Sequence, residues 1–303
     1  MTELTRRYGT PIGIVILLLA AFWILVLVVL PNLQLFEQSF RPSLPPGEQG
    51  GPADVYSLGN YAIMVSTNST TRVWFIDMPI HLFIFLRTIW HSCLVTLVCL
   101  VLSYPVAWCL ALVMSPRSVP TILMLLAIPL LVSELLRAFS WYIILAFQGP
   151  LNGIGAWFGL PKVRWISGST GIVVTLIYTN ILLMVLPIYN SLSTLDRNLI
   201  EAARDLGASG WQVQRRIVMP HAKTGIASGC TMIFMFSVGS VVIPIMMASP
   251  DSRWFTEVIT QWMFESQDWH TAAAYAFILL VTCTVFVALM MRLFRVQLAD
   301  IAK

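Results

Sequence analysis

Two ionisable residues interrupt an apolar run at residues 121–147 of the sequence. As one continuous helix this run would be roughly 40 Å long, with Glu134 about halfway along it and Arg137 one turn later. A carboxylate at that depth in an apolar environment is costly to bury, which makes it a functional candidate by default. It could receive an ammonium group, and the nearby Trp141 and Tyr142 could add cation–π contacts. The spacing therefore indicates a path for a cationic solute.

The same two charges have other interpretations. Glu134 and Arg137 are three residues apart, which suits an ion pair that only stabilises the helix. Alternatively, the span stops near Ser133 and leaves both charges in the lipid headgroup region. Further polar residues within apolar runs are Tyr178, Asn180, Ser237 and Ser240. Such groups bond to the helix backbone or to a neighbouring helix more often than to a solute, so they are secondary candidates for the solute path.

The composition dictates what kind of elements must position these residues. Only 11% of the 303 residues are charged and 58% are hydrophobic, whereas a soluble domain carries about a quarter of charged residues. So few polar side chains cannot cover a folded chain in water. This excludes an ordinary soluble enzyme, a nucleic-acid-binding protein and a disordered chain. We predict an all-α polytopic membrane protein.

Six apolar runs are long enough to cross a bilayer. A spanning helix needs about 20 mostly apolar residues, because the hydrocarbon core is roughly 30 Å thick. The predicted spans lie at about residues 12–30, 90–114, 121–147, 169–192, 224–248 and 271–291. The first is too long for a secretory signal peptide and lacks a cleavage pattern, so we interpret it as a retained span. We expect a single transmembrane domain over residues 1–303, with a long outer loop at 31–87 and an inner segment at 193–223.

The basic residues give the orientation in the membrane. With the N-terminus inside, the inner segments carry eleven basic and five acidic residues, and the rest of the chain carries seven basic and nine acidic residues. Lys and Arg accumulate in the cytoplasmic loops of membrane proteins. Both termini are therefore predicted to be cytoplasmic.

The inner segment at 193–223 has the pattern of two short helices. Asp196 is a plausible N-cap, apolar residues then recur at helical spacing, and Gly207 can stop the helix in a left-handed conformation. A second short helix can start at Ser209, run through Arg216 and end before Pro220. The pair would lie on the cytoplasmic face of the membrane.

The first of these helices and the residues after it contain both small and charged side chains. The small ones are Ala202, Ala203 and Gly207, and they would let the surface of another protein approach closely. Glu201 and Arg204 could fix the orientation of such a partner. The alternative is a solvated connection that is stabilised by local pairs, either Arg197 with Glu201 or Glu201 with Arg204.

The order of residues in this segment resembles a known motif. The run Glu201-Ala202-Ala203-x-x-x-Gly207, followed after nine residues by Ile217-x-x-Pro220, is similar to the EAA loop in membrane subunits of binding-protein-dependent ABC importers. One departure is Met219, where the family usually has Leu, and both are apolar residues of similar size. The stretch Leu102-Ser103-Tyr104-Pro105-Val106-Ala107-Trp108 also resembles the Tyr-Pro-x-Ala stretch of these permeases.

The resemblance implies a type I ABC importer permease fold in a bacterial inner membrane. The residues that it assigns to coupling with an ATPase are Glu201, Ala202, Ala203, Gly207, Ile217 and Pro220. The implied partners are two ATPase subunits, a second homologous permease subunit and a periplasmic solute-binding protein, besides membrane lipid. ATP and Mg²⁺ would be bound by the ATPase subunits, so this chain would be a permease subunit without a cofactor and not an enzyme.

The residues themselves support this division of labour. The only lysines are Lys162, Lys223 and Lys303, and none follows a glycine, as a phosphate-binding P-loop requires. The five cysteines include no C-x-x-C spacing and the four histidines show no ligand spacing, so we predict no metal site.

Within the family, the long outer loop, the Tyr-Pro-Val-Ala-Trp stretch and Leu136-Arg137 most resemble the spermidine/putrescine branch. That branch suggests a polyamine as the solute and a different but homologous permease as the partner. Other branches carry ferric iron, sulfate, thiamine or opine-like compounds, and these alternatives stay open. A secondary transporter or channel that works without ATP is an alternative of a different class.

Overall fold

A computed structural model of the chain describes residues 10–44, 51–52, 54–66, 70–73, 76–166, 168–247, 249 and 252–296. This part of the chain is mostly helical, as predicted, with one small antiparallel hairpin. The helices are α1 Thr10–Ile24, α2 Leu30–Phe40, α3 Gly59–Val65, α4 Ile80–Trp108, α5 Val119–Leu131, α6 Glu134–Leu145, α7 Pro150–Trp157, α8 Ser169–Ser193, α9 Arg197–Asp205, α10 Gly210–Val213, α11 Met219–Gly239, α12 Val242–Met247, α13 Phe255–Thr260 and α14 Trp269–Phe294. The hairpin is β1 Thr70–Val73 and β2 Ile76–Pro79, and π-helical turns occupy Leu25–Val29, Cys109–Val113, Gln214–Val218 and Gln261–Glu265.

Four helical runs in the described residues are long and apolar enough to cross a membrane, namely Gly13–Phe40, Ile80–Val113, Ser169–Ser193 and Trp269–Phe294. A fifth crossing arises if the bent pair of α5 with α6 and α7 counts as one span. The counterpart of the predicted span at 224–248 is α11, which does not meet this test. Eleven of its 21 residues are buried, and many of them are small or polar. A helix that is surrounded by protein does not need an apolar surface, so a membrane span can fail this test. The six spans therefore stay a prediction.

The outer loop is shorter than predicted. The first helical run passes through Pro31 and ends at Phe40, and α4 already begins at Ile80. A proline interferes with the backbone bonds of the preceding turn, and here the wider π-helical turn Leu25–Val29 comes just before it. In addition, Asn32 Nδ2 donates to the Val28 carbonyl oxygen at 2.7 Å. Residues 67–69 of this loop and both chain termini, which are predicted to be cytoplasmic, lie outside the described part.

The continuous helix expected over residues 121–147 does not form, and the break lies where the alternative interpretation stops the span, near Ser133. The axes of α5 and of the helical run that starts at Glu134 differ by 84°. Pro129 lies two residues before the end of α5, and the Ser133 Oγ caps α6 by accepting from the Leu136 N–H at 3.3 Å. Glu134 is therefore the first residue of a new helix and not the middle of a long one.

The chain forms two compact units. The first consists of the chain up to Ser69 together with Ile259–Leu280. In it, the Arg41 guanidinium pairs with Glu37 at 2.6 Å and with Asp54 at 3.1 Å. The Asn60 amide donates to the carbonyl oxygens of Ser39 and Arg41 at 3.0 and 2.8 Å. These bonds fix the segment that follows α2 against α3.

The second unit consists of Thr70–Val258 and Val281–Lys303, and its core is built from α4, α8 and α11. Ser103 Oγ of α4 donates to the Ile181 carbonyl oxygen of α8 at 3.0 Å. Further along α8, a Cβ added to Gly225 of α11 would lie 2.3 Å from the Pro187 carbonyl oxygen. One turn later, a Cβ at Gly229 would lie 3.2 Å from Met184 Cγ. Two glycines four residues apart thus let α11 approach the backbone of α8, as small residues do between membrane helices.

This contact predicts a strong effect of adding one methyl group. Gly225→Ala should lower the unfolding temperature of the detergent-purified protein, because overfilling a packed interface typically costs about 1–3 kcal/mol. Gly239→Ala is the matched control in the same helix, since a Cβ there meets nothing within 4 Å. The measurement is the thermal unfolding midpoint of both variants, and equal midpoints would show that α8 and α11 do not need this close approach.

Candidate functional site

The first short helix of the inner segment forms as predicted. The Asp196 carboxylate caps α9 by accepting from the Asn198 N–H at 3.0 Å. At the other end, Gly207 adopts a φ of 81°, and its N–H donates to the Arg204 carbonyl oxygen at 2.9 Å. The Ala208 N–H donates to the Ala203 carbonyl oxygen at 3.0 Å, which completes a Schellman motif. Helix α9 is therefore closed at both ends by local bonds.

The second short helix does not end before Pro220, so this prediction is wrong. It starts as predicted at Ser209, where Ser209 and Gln212 form a capping box. It then continues through the π-helical turn Gln214–Val218 directly into α11. Pro220 lies at the second position of α11, just after the wide π-helical turn. A helical path thus leads from the inner segment into the core of the second unit.

Helix α9 lies on the surface and has no buried residue. Ile200 and Ala203 are half-buried and pack against the core, whereas Ala202 is exposed. Leu199 is 54% exposed and Leu206 is 90% exposed. The two leucines lie on the same face of the helix and form an exposed apolar strip there.

The remaining predicted coupling residues are all exposed or half-buried. Glu201 and Gly207 are exposed, Ile217 is half-buried and Pro220 is exposed at the start of α11. The predicted local ion pairs of Glu201 with Arg197 or Arg204 do not form among the described residues. Arg197 instead donates to the Ala111 carbonyl oxygen at 3.2 Å.

Two side-chain hydrogen bonds connect the segment to the end of the run formed by α4. One is the bond from Arg197 to Ala111, which lies in the π-helical turn Cys109–Val113. In the other, Gln214 Nε2 donates to the Tyr104 hydroxyl. Tyr104 belongs to the stretch with the family resemblance, whereas nothing in the sequence pattern singled out Gln214. The inner segment is thus tied to α4 by contacts between residues far apart in the sequence.

A second candidate site is a small cavity of about 100 Å³ in the second unit. It brings together four of the predicted solute-path residues, which are Glu134, Arg137, Asn180 and Ser240. The bend between α5 and α6 is what places Glu134 beside α8 and the break after α11. Phe236 and Thr179 also line the cavity and were not predicted. Their positions follow from helix packing, which has no local sequence signal.

The predicted ion pair between Glu134 and Arg137 is absent from the described residues. Arg137 Nη1 instead donates to the Thr179 carbonyl oxygen at 3.3 Å, and its buried Nε has no partner among the described residues. Glu134 is exposed at the first position of α6, where the helix dipole favours a negative charge. The cavity thus holds one carboxylate and one guanidinium that do not neutralise each other directly.

Four of the predicted residues are not part of this cavity lining, namely Trp141, Tyr142, Tyr178 and Ser237. The rings of Trp141 and Tyr178 are in contact, with centroids 5.1 Å apart, and Tyr142 is exposed. The Oγ atoms of Ser237 and Ser240 are buried without a hydrogen-bond partner among the described residues. Asn180 donates to the Leu176 carbonyl oxygen of its own helix at 2.8 Å, which agrees with the structural interpretation of that residue.

The described residues contain no group of three or more His, Cys, Asp or Glu side chains that could hold a metal ion. The first candidate site is the surface of α9, and the second is the cavity that contains the Glu134 carboxylate and the Arg137 guanidinium.

Comparison with known proteins gives a consistent result. The family described as binding-protein-dependent transport system inner membrane component matches residues 3–296. The spermidine/putrescine transport system permease protein PotB of Salmonella typhimurium (strain SL1344) is 30% identical over 275 residues, which cover 90% of this chain and 88% of that protein. PotB of Escherichia coli (strain K12) is 30% identical over 272 residues, which cover 89% and 91%. The permease protein PotC of the same strain is 34% identical over 67 residues, which cover 22% and 25%.

Solved structures share the fold. One chain in the crystal structure of a bacterial alginate ABC transporter, in complex with an alginate pentasaccharide-bound periplasmic protein, matches with a TM-score of 0.73 and 16% identity. The match covers 98% of this chain and 99% of that chain. The predicted permease fold is thereby confirmed. Since the family matches nearly the whole length and the relatives are permeases, this chain belongs to the inner membrane components of binding-protein-dependent transport systems and is a permease subunit of an ABC importer, not an enzyme.

Proposed function

We propose that this permease subunit imports polyamines such as spermidine and putrescine. The observation that carries the proposal is the 30% identity to PotB proteins along about 90% of the chain. The cavity beside Glu134 supports it, because a carboxylate and the aromatic ring of Phe236 line the same small space. A protonated amine gains from both a negative charge and the face of an aromatic ring.

The exposed face of α9 is the proposed contact with an ATPase subunit. Leu199, Ala202 and Leu206 recur at helical spacing and offer an apolar strip without large protrusions. ATP and Mg²⁺ would be held by the ATPase subunits, whose approach to each other would displace α9. Since α9 is tied to α4 through Arg197 and Ala111, its displacement would move the helices of the core.

The proposed assembly has two permeases, two ATPase subunits and a periplasmic solute-binding protein. The chain contains one inner segment of this kind, so a complete importer needs a second copy or a homologue. Similarity to both PotB and PotC, which carry different names within spermidine/putrescine systems, favours a homologous but different second permease. The excess of basic residues in the inner segments supports cytoplasmic termini. The match of one family over residues 3–296 supports a single transmembrane domain.

One observation favours a second class of solute. The buried Nε of Arg137 has no partner among the described residues and belongs to the same cavity as Glu134. A guanidinium beside a carboxylate suits a compound that carries both an amine and a carboxylate, such as an opine-like solute. Other family solutes, such as ferric iron, thiamine or sulfate, lack this match to both charges.

The conformation of Gly207 predicts loss of coupling on a minimal substitution. Gly207→Ala should slow ATP-driven uptake several-fold, because a left-handed conformation costs an L-residue about 1–2 kcal/mol and α9 would shift to relieve it. Gly210→Ala is the matched control, since a Cβ at either glycine meets nothing within 4 Å and only Gly207 has a positive φ. Uptake and ATP hydrolysis are measured on the reconstituted importer, and equal rates for both variants would refute the role of this turn.

The carboxylate in the cavity predicts a charge-specific defect. Glu134→Gln should reduce polyamine uptake about tenfold or more, because the amide keeps the size of the side chain but removes the charge that faces the amine. Glu265→Gln, a change at an exposed glutamate outside the cavity, should leave uptake unchanged. Radiolabelled putrescine uptake into proteoliposomes distinguishes the two. Normal uptake by Glu134→Gln with correct assembly would exclude this carboxylate from the solute path.

Substitution of Arg137 separates the two classes of solute. In Arg137→Gln the side chain keeps a hydrogen-bond donor, but the positive charge is lost. Polyamine uptake should be retained or faster, since the charge repels a cation. If the solute carries a carboxylate, the same change should abolish its uptake. The measurement is how strongly each unlabelled solute reduces the uptake of a labelled solute by the wild-type and variant importers.

A further inference from the structure

The side of α9 that turns away from Leu199 and Leu206 lines a groove of about 680 Å³. We infer that this groove binds an anionic phospholipid, with its phosphate between Arg197 and Arg204 and an acyl chain along the end of α4. The inference concerns a lipid and does not depend on which solute the importer carries.

Helix α9 presents two different faces. Arg197, Ile200 and Arg204 line the groove and lie at positions i, i+3 and i+7, which share one face of a helix. Leu199 and Leu206 point about half a turn away from them. A partner on the exposed apolar face can therefore bind without occupying the groove.

The groove carries a positive charge that is available to a ligand. Its charged residues are two arginines, Arg197 and Arg204, and one acid, Glu201. Neither arginine forms an ion pair with Glu201 among the described residues. Arg197 uses Nη2 for the Ala111 carbonyl oxygen. The remaining guanidinium N–H groups match the oxygens of a phosphate, which arginine binds in a forked geometry.

Most of the other lining residues are apolar, and several of them belong to the end of a candidate membrane span. Trp108, Leu112 and Val113 are in the last turns of the run Ile80–Val113, and Val113 is 59% exposed. Trp211, on the opposite wall, is 67% exposed. Tryptophan is typical of the membrane–water boundary. A groove that begins at this boundary and combines arginines with apolar walls fits an anionic phospholipid, whereas free phosphate would leave the apolar walls unused.

A lipid in this position would affect coupling. The Gln214–Tyr104 hydrogen bond connects two of the groove-lining residues, one on each wall. A phospholipid beside this bond would contact both α4 and the inner segment and hold them together. The site would thus make the mechanical connection between α9 and the core dependent on membrane composition.

The test measures lipid retained by the purified importer complex. The complex is extracted from vesicles of phosphatidylethanolamine with phosphatidylglycerol, and bound lipids are counted by native mass spectrometry. Wild type should retain phosphatidylglycerol in preference to phosphatidylethanolamine. Arg204→Gln should lower this retention about fivefold, since one arginine near an anionic membrane contributes about that factor. Arg204→Lys should restore part of it.

Matched controls keep the test specific. Arg215 and Arg216 are exposed arginines of the same segment that do not line the groove, so Arg215→Gln and Arg216→Gln should retain lipid like the wild type. Equal retention by Arg204→Gln and wild type would overturn the inference. So would displacement of the lipid by inorganic phosphate, or loss of the ATPase subunits from Arg204→Gln with unchanged lipid retention, which would assign the groove to the ATPase. None of these readouts measures solute uptake, so the proposal of a polyamine as the solute can be wrong while the lipid inference holds, and the reverse.

Discussion

The close approach of α11 to α8 at Gly225 is the contact on which the rest of the second unit depends. Pro187 and Ser191, which face Gly225, lie in the last two turns of α8, and Gly225 lies near the beginning of α11. The inner segment leaves the core at the end of α8 and returns to it at the start of α11. One helix–helix contact therefore holds both ends of the segment that contains α9, and a force on α9 acts on two helices that are already joined.

The features that could be predicted from the sequence are local ones. The cap at Asp196, the left-handed Gly207 and the bounds of α8 depend on nearby residues, and the structure confirms each of them. The predicted ends at Pro31 and Pro220 are wrong because each proline follows a π-helical turn by two residues, and the wider turn allows the helical path to continue. The hydrophobic pattern of a sequence contains no signal for such a turn.

The candidate solute cavity could be predicted from the sequence only in part, because its lining depends on how the helices pack. Polar residues in apolar runs drew attention to Glu134, Arg137 and Asn180, and these residues do share one cavity. The sequence allowed the span to stop near Ser133, but it could not predict the 84° bend that turns the Glu134 carboxylate toward α8. Nor could it identify Phe236, which is one aromatic residue among many apolar ones until the helices are packed.

The exposure of Leu206 has a consequence for how an unassembled subunit is recognised in the cell. A leucine that is 90% exposed, on a helix with no buried residue, is the kind of surface that proteases and chaperones bind on incomplete proteins. In the proposed assembly an ATPase subunit covers this leucine, so a permease subunit without that partner would expose it. On this proposal, the amount of stable permease would follow the supply of its ATPase partner.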